Sequence, residues 1–445
     1  MTRVIKLNRG LDINLAGKAA LEKKSAATGK VYALCPDNFQ GVKPKVVVKE
    51  GDKVKAGDAL FVNKDCPEVK FASPVSGTVV SVERGDRRKL LSVQVEADAT
   101  QEYADFGVKS IASMDAEAVK KALLEGGLFG YINQLPYAVS TTPDAEPKAI
   151  FVSAFRDMPL AGDFAFELKG QEQDFQTGLD ALSKIAKVYV GVNAELGIKE
   201  DGNIEVVKFV GKCPAGNVGV QVNNIDPVNK GEVVWTVDPT AVIFFGRLFN
   251  TGKVNLTRTV ALAGSEVKAP CYYDMLVGQD CSALIAAEVN DGNNRIIMGN
   301  PLTGTPVAGA TFLGAHTSEI TVIPEGDDAD ELAGWIMPRL KQFSVSRSYL
   351  SWIFGNKEYT LDARVKGGER HMIMSGEYDS VLPMDIYGEY LIKAIIAGDI
   401  DKQEQLGIYE VSPEDFALAE FVDSSKLELQ KIVRQGLDIL RKENA

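Results

Sequence analysis

Glu377, Asp379 and Asp385, in GEYDSVLPMDIYGEYL, come closest to an acid–base cluster, in which one carboxyl gives a proton and another takes it. Nothing near them supplies a nucleophile or a metal partner, and a surface loop capping a helix accounts for them. Nucleotide chemistry needs a phosphate cradle. GRLFNTGKV at 246–254 comes nearest, but five residues separate Gly246 from Gly252, and Val254 stands where a magnesium-binding hydroxyl belongs. A strand-ending turn is the expectation there. GKCPAGNVGV at 211–220 follows a strand, and its N–H groups could cradle an anion; a connection requiring positive φ is the plainer expectation. LFGYINQLPYA at 128–138 is rich in aromatics and proline. Exposed, it would bind a flat apolar ring, with Asn133 or Gln134 as donors and Tyr131, Pro136 and Tyr137 beside them. A packed interdomain loop is the simpler account.

Thiol and imidazole chemistry has little material. The five cysteines form no CxxC, and the nearest pair, Cys271 and Cys281, is ten apart. Zinc and iron–sulfur sites need clustered thiolates, so reduced, buried thiols are expected. His316 and His371 are the two histidines, too few for a His-rich metal site, and each is expected to be structural. Lys64 raises a different chemistry. GDKVKAGDALFVNKDCPEVKFASPVSGTVV at 51–80 has the look of a lipoyl or biotin carrier hairpin. There the modified lysine stands about eight residues before the proline of the next turn. Eight residues before Pro74 is Cys66, and Lys64 lies two earlier, in Asn-Lys-Asp. Lys64 is therefore expected to be an unmodified turn residue, with the module kept for its shape.

The elements that must position these residues are legible as runs. From Val31 to Val95, short alternating segments broken by Gly-Asp turns predict a small twofold sandwich; Gly51-Asp52 and Gly57-Asp58 repeat at a six-residue step. DAEAVKKALLEGGLFGYI predicts a helix stopping at Gly126-Gly127. AIFVSAF, QDFQTGLDALSKIAK, VYVGV and IEVVKFVG alternate strand, helix, strand, strand, which suggests a parallel α/β sheet. Residues 256–323 return to β, with CSALIAAEV as one short helix, and the chain ends in helices that open on a cap-like Ser-Pro-Glu-Asp. The chain of 445 residues carries 49 basic and 61 acidic side chains, a formal charge of −12. That balance argues against nucleic acid and anionic headgroups as partners of the whole surface. The longest apolar runs, such as AVIFF at 241–245, are strand-sized, and no bilayer span or signal peptide is expected.

Longer stretches carry a resemblance. IKLNRGLDINLAGK, the 43–88 sandwich, CPAGNVGVQVNNIDPV, FGRLFNTGKVNLTRTVALAGSEVKAP and GWIMPRLKQFSVSRSYLS, in this order, make the chain similar to the A subunits of the sodium-translocating NADH:quinone oxidoreductases. A looser similarity reaches the peripheral C subunits of the Rnf complexes and the NADH-oxidising flavoprotein of complex I. The resemblance implies an α+β and α/β multidomain fold. Its parts would be an N-terminal segment packed on the core (1–30), a lipoyl/biotinyl-like barrel-sandwich (31–102), a Rossmann-like α/β domain (103–255), a soluble-ligand-binding β-grasp domain (256–329) and a mixed, then helical C-terminal domain (330–445). It implies a peripheral subunit on the cytoplasmic face of the bacterial inner membrane, partnered by membrane and peripheral subunits of a complex that couples NADH oxidation and quinone reduction to sodium export. Flavins, iron–sulfur clusters, NADH and quinone would be bound on or through partner subunits. The flavoprotein's glycine-rich loop and clustered cysteines are absent here; Ala419 and Ser424 stand in the corresponding tail. No cofactor, catalytic residue or metal ligand is thus expected on this chain, which would support or border the quinone-reducing region, with Tyr131, Asn133, Gln134, Pro136 and Tyr137 as quinone-proximal candidates. Two alternatives stay open: a quinone-binding catalytic subunit, and a stand-alone carrier or scaffold protein with a lipoyl-like module.

Overall fold

The computed structural model describes residues 3–26, 29–307, 312–327, 336–354 and 357–444. The expected 329/330 boundary lies outside them. Alternation in the first hundred residues produces two antiparallel sheets. Val31–Leu34, Leu90–Ala97, Gly77–Arg84 and Lys53–Val54 form one; Pro44–Val46, Ala59–Asn63 and Lys70–Ala72 form the other. Leu60, Phe71, Val79 and Val93 are buried between them, and the Phe61 and Phe71 rings stack at 4.6 Å. The two Gly-Asp turns have one mechanism. Gly51 and Gly57 take positive φ, +91° and +102°, and the following aspartates fold back to accept from the Lys49 and Lys55 N–H groups at 2.7 Å. Lys64 is exposed at the end of Ala59–Asn63, and its backbone N–H donates to the Lys43 carbonyl.

The second sheet runs in the order Arg3–Lys6, Ile204–Val210, Lys187–Val192, Ala149–Ser153, Val234–Val237, Ile132–Leu135, Val139–Ser140. The first five are parallel and the last two antiparallel. Its central strands, Ala149–Ser153 and Val234–Val237, are buried throughout because both faces are covered there. Ile150 and Val152 pack toward the helices Glu172–Leu182 and Pro239–Thr251; Ala149 and Phe151 join Val222 of the helix Val218–Ile225 in a separate cluster. Ala149–Ser153 leads on one side to Lys187–Val192 and has Val234–Val237 on the other, so the order reverses between them.

Two expectations fail here. GRLFNTGKV is not a strand-ending turn: with the strand-sized run AVIFF before it, it lies in or at the end of the helix Pro239–Thr251. Ala241 to Phe245 are all buried, so no polar face marks the helical period. Gly246 is there for packing, since an added Cβ would stand 1.7 Å from the Asp174 carbonyl of the neighbouring helix. Gly252 ends the helix in the left-handed region, φ +68°. LFGYINQLPYA is likewise not a loop throughout, because Ile132–Leu135 pairs with Val234–Val237.

A third sheet has the order Thr305–Pro306, Asn294–Met298, Glu319–Pro324, Thr257–Ala263, Cys271–Leu276, Lys23–Ser25, with the short helix Ser282–Glu288 as its β-grasp helix. The N-terminal segment thus gives one strand to each of two sheets. The C-terminal region is helical, with Gly388–Ala397 and Leu429–Glu443 the longest of its described helices, around Leu391, Ile392, Val433 and Leu437. Ser412 and Asp415 form the expected capping box. Cys213, Cys271 and Cys281 are buried, as expected of reduced thiols, but Cys35 and Cys66 are only half-buried.

Candidate functional site

Where strand order reverses in a parallel sheet, the loops leaving adjacent strands diverge and open a crevice at the carboxyl ends. A cavity of about 580 Å³ lies there. Ser153, Thr236 and Val237 reach it from the strand ends, and Gly216–Gly219 and Asp238–Pro239 from the helix starts. Asn38 and Gln40 of the sandwich, Met298–Asn300 and His316–Glu319 of the β-grasp sheet, and Ser412–Glu414 and Arg434 of the C-terminal region close it. The sandwich, the α/β sheet, the β-grasp sheet and the C-terminal region therefore all line one cavity.

Local chemistry fixes the helix starts. Asp238-Pro239 begins its helix in the favoured way, with proline in the first turn and the aspartate accepting from the Thr240 N–H at 2.7 Å. The Asp157 carboxylate accepts from the Gly216 N–H at 3.0 Å, next to the start of Val218–Ile225. Ser153 donates to the Gly216 carbonyl at 2.7 Å and accepts from Gln221 at 2.8 Å, which ties the strand end to that turn. In GKCPAGNVGV no glycine has positive φ, contrary to expectation. They are glycines because neighbours approach: a Cβ would meet Leu7 at Gly211 (2.8 Å), Asp157 at Gly216 (2.8 Å) and Asp415 at Gly219 (2.2 Å).

The electrostatics are dense. Arg156 donates from Nη1 to both Glu167 oxygens at 2.9 Å, and its Nη2 lies 3.9 Å from Asp238. Burial pushes Glu167 up and outweighs the pull of Arg156. Burial also works to raise Asp238, but Arg156, Arg258 and His316 together hold it below its ordinary value. Burial pushes Asp157 up to about 6 against the Gly216 hydrogen bond, with Asp12 adding to the rise. His316 is pushed down to about 4 by burial and is neutral at pH 7; its ring stands 5.5 Å from Phe39 and 5.4 Å from Tyr131. Glu414 is raised by burial and by Asp415 beside it.

A flavin or dinucleotide, which this sheet topology implies, sets its phosphates on helix-start N–H groups. Here Asp157 and Asp238 already accept from N–H groups at those starts, and Asp415 lies against Gly219. The residues present do not fit a pyrophosphate. No group of three or more His, Cys, Asp or Glu side chains among the described residues is arranged to hold a metal ion.

Of the ring-binding candidates, Asn133 alone lines the cavity. Gln134, one residue on, accepts from Thr141 at 2.7 Å. Tyr131 is buried behind the wall against His316 and Phe244, where burial raises its hydroxyl. Pro136 follows a cis bond in the turn after the strand. Tyr137 offers its carbonyl to Arg434 at 2.7 Å. The carboxylates Glu377, Asp379 and Asp385 do not meet in a cluster: Glu377 accepts from the Ser424 N–H, and the Asp385 N–H donates to Asn223. Sequence reasoning missed Arg156, Asp157, Asp238 and His316. A signal existed, since RDM lies two residues beyond one of the strands that flank the reversal and DP directly follows the other.

Family models match consecutive stretches: the NqrA N-terminal barrel-sandwich hybrid domain over residues 5–98, the NqrA second alpha/beta domain over 114–254, and the NQRA C-terminal domain over 259–309. The A subunit of the Na(+)-translocating NADH-quinone reductase of Neisseria meningitidis serogroup A / serotype 4A is 36% identical over 99% of this chain and 100% of its own length. The chain belongs to the NqrA family. The A subunit from Actinobacillus pleuropneumoniae serotype 5b is 37% identical, and that from Serratia proteamaculans 36%, each over 99% of this chain and the whole of the relative. A solved NAD+-reducing [NiFe]-hydrogenase in the H2-reduced state aligns with 75% of this chain and 62% of its own at 10% identity, with a TM-score of 0.36, too remote to carry an argument.

Proposed function

We propose that this chain works as the A subunit of a Na+-translocating NADH-quinone reductase, assembled with the other subunits of that complex. End-to-end similarity to relatives of that name carries the reading. In its finer form, the chain sits peripherally on the cytoplasmic side of the membrane, holds no flavin or cluster, and supports or borders the quinone-reducing region. Two observations support this. No helix among the described residues is long and apolar enough to cross a membrane, and carboxylates stand where a redox dinucleotide would need free N–H groups. The division into 1–30, 31–102, 103–255, 256–329 and 330–445 belongs to the same proposal.

The test is a membrane extract from cells expressing the complex with an affinity tag on this chain. Co-purified membrane subunits and Na+-stimulated quinone reduction by NADH are expected; a tagged chain that purifies without either would refute the assignment. A visible absorption band in the chain alone would sink the cofactor-free part. An intact mass above that of the unmodified chain would restore the carrier alternative for Lys64.

The second reading, a quinone held by this chain, is favoured by the cavity, where Leu135, Phe155 and Met158 offer apolar surface beside Asn133. Titration calorimetry with a short-tailed quinone tests it. Saturable binding weakened by Asn133→Ala supports it, and no heat at millimolar quinone leaves the chain as support only.

A further inference from the structure

The segment Ile336–Phe354 contradicts the rest of the surface. Its sequence, IMPRLKQFSVSRSYLSWIF, contains Arg339, Lys341 and Arg347 and no acidic residue, a local charge of +3 in a chain of −12. It is also the most apolar exposed stretch. Ile336, Met337, Leu350, Trp352, Ile353 and Phe354 are each 45–68% exposed. Apolar side chains scattered singly over a surface need no explanation, but this many in nineteen residues do. The backbone makes no strand here, and the segment ends in the short 3-10 turn Leu350–Phe354.

The segment is nonetheless held. Ser351 is buried and its carbonyl accepts from the Tyr359 hydroxyl at 3.3 Å. Phe343 packs on Tyr359 and Phe421 at 5.3 and 5.8 Å, and the Tyr359 N–H donates to the Asn14 carbonyl. These anchors fix the turn so that Trp352, Ile353 and Phe354 face outward. The Arg347 guanidinium lies over the Trp352 ring at 5.2 Å, and the Lys357 ammonium 5.7 Å from the Phe354 ring. Aromatic and aliphatic side chains with cations at their edges match the boundary between headgroups and acyl chains.

We infer that Ile336–Phe354 is a docking face for an anionic lipid bilayer. Charge decides the occupant. Cytoplasmic loops of membrane proteins carry an excess of Lys and Arg, so a basic face would be repelled by them and attracted to acidic headgroups. The inference goes beyond the proposed function but rests on its placement of the chain at the cytoplasmic side of the membrane; lipid binding itself needs neither NADH nor partner subunits, so the two can fail separately.

The experiment is co-sedimentation of the purified full chain with vesicles of phosphatidylcholine alone and of phosphatidylcholine with phosphatidylglycerol. Each basic residue near an anionic surface contributes about fivefold in affinity. Binding to the anionic vesicles is expected, with little to the zwitterionic ones, and with loss at 1 M salt. Lys341→Glu with Arg347→Glu should weaken it by about 25-fold or more, and Trp352→Ser with Phe354→Ser should abolish it. Thermal midpoints of both variants should match the parent, since these side chains are exposed. Equal binding to the two vesicle types, no binding to either, or variants that bind like the parent would overturn the inference. So would variants that bind vesicles normally but lose partner subunits from the purified complex, which would assign the face to protein.

Discussion

Asp157→Asn should stabilise this protein, and only above a definite pH. Burial dominates and raises the side chain from 3.8 to about 6, with Asp12 adding to the rise, against the hydrogen bonds it accepts from the Gly216 N–H at 3.0 Å and from the Cys213 thiol. A carboxyl raised on folding favours the native state only while protonated. Its ionisation therefore works against folding as pH climbs from about 4, with the full penalty reached above about 6. At about 1.4 kcal/mol per pKa unit, the penalty at pH 8 is about 3 kcal/mol. Asparagine keeps the shape and the acceptor for Gly216, and carries no charge. Urea denaturation at pH 8 should show the variant more stable by up to about 3 kcal/mol, and the advantage should shrink to nothing near pH 4. The readout must follow the transition that reports the α/β sheet, since a chain of several units need not unfold in one step. Equal stability at all pH values, or a variant weaker than the parent at pH 8, would refute the account of Asp157 as an ionised group held at a cost.

Other substitutions probe the elements behind the site. Gly246→Ala should lower the thermal midpoint by an amount equivalent to about 1–3 kcal/mol, because the new methyl meets the Asp174 carbonyl across the helix pair. Gly252→Ala should cost about 1 kcal/mol, the penalty for a left-handed cap without glycine. Asp238→Ala removes a helix cap and a charge facing buried Arg156 and Arg258; circular dichroism melts should show a loss of about 3–5 kcal/mol, with Asp238→Asn recovering only the cap's share of about 1 kcal/mol. Lys64→Ala, at an exposed turn, should leave stability within about 0.5 kcal/mol and Na+-stimulated quinone reduction by the complex unchanged. A loss of that activity would point back to a carrier role.

The parts of this fold that could be read from sequence were those in which one local rule acts alone. Gly51-Asp52 and Gly57-Asp58 gave the twofold sandwich because their turns are closed by their own side chains. Ser412 announced its capping box for the same reason. The misreadings fall where tertiary burial erased the local signal. Ala241–Phe245 is helix, but it is covered on all sides, so its apolar run has the length and evenness of a strand. Gly216 and Gly219 looked like residues chosen for φ, whereas they are chosen for what leans on them, Asp157 and Asp415. Asp415 comes from nearly two hundred residues away, and no window in the sequence brings it to Gly219. The cavity shared this fate: Asn133 was visible, but His316, Glu414 and Arg434 join it only once separate units close over the strand ends.

The charge of that cavity limits what it can take. A crevice at a strand-order reversal normally offers free N–H groups to an anion, and its helix dipoles reinforce the preference. In this chain Asp238 satisfies the start of Pro239–Thr251, and Asp157 takes the Gly216 N–H beside Val218–Ile225. Glu319 and Glu414 add acidic groups to the same walls. The cations that could reverse the sign are already paired: Arg156 with Glu167, and Arg434 with Asp438 at 2.9 Å. His316 is neutral at pH 7 because burial holds it down. An incoming phosphate would therefore have to displace a carboxylate from its donor and would face further acidic groups on the same walls. A neutral ring with polar edges meets no such barrier, and Asn133 and neutral His316 can hydrogen-bond it without bringing a charge. The strand-order reversal thus opens a crevice in this fold whose carboxylate-occupied helix starts do not fit a pyrophosphate.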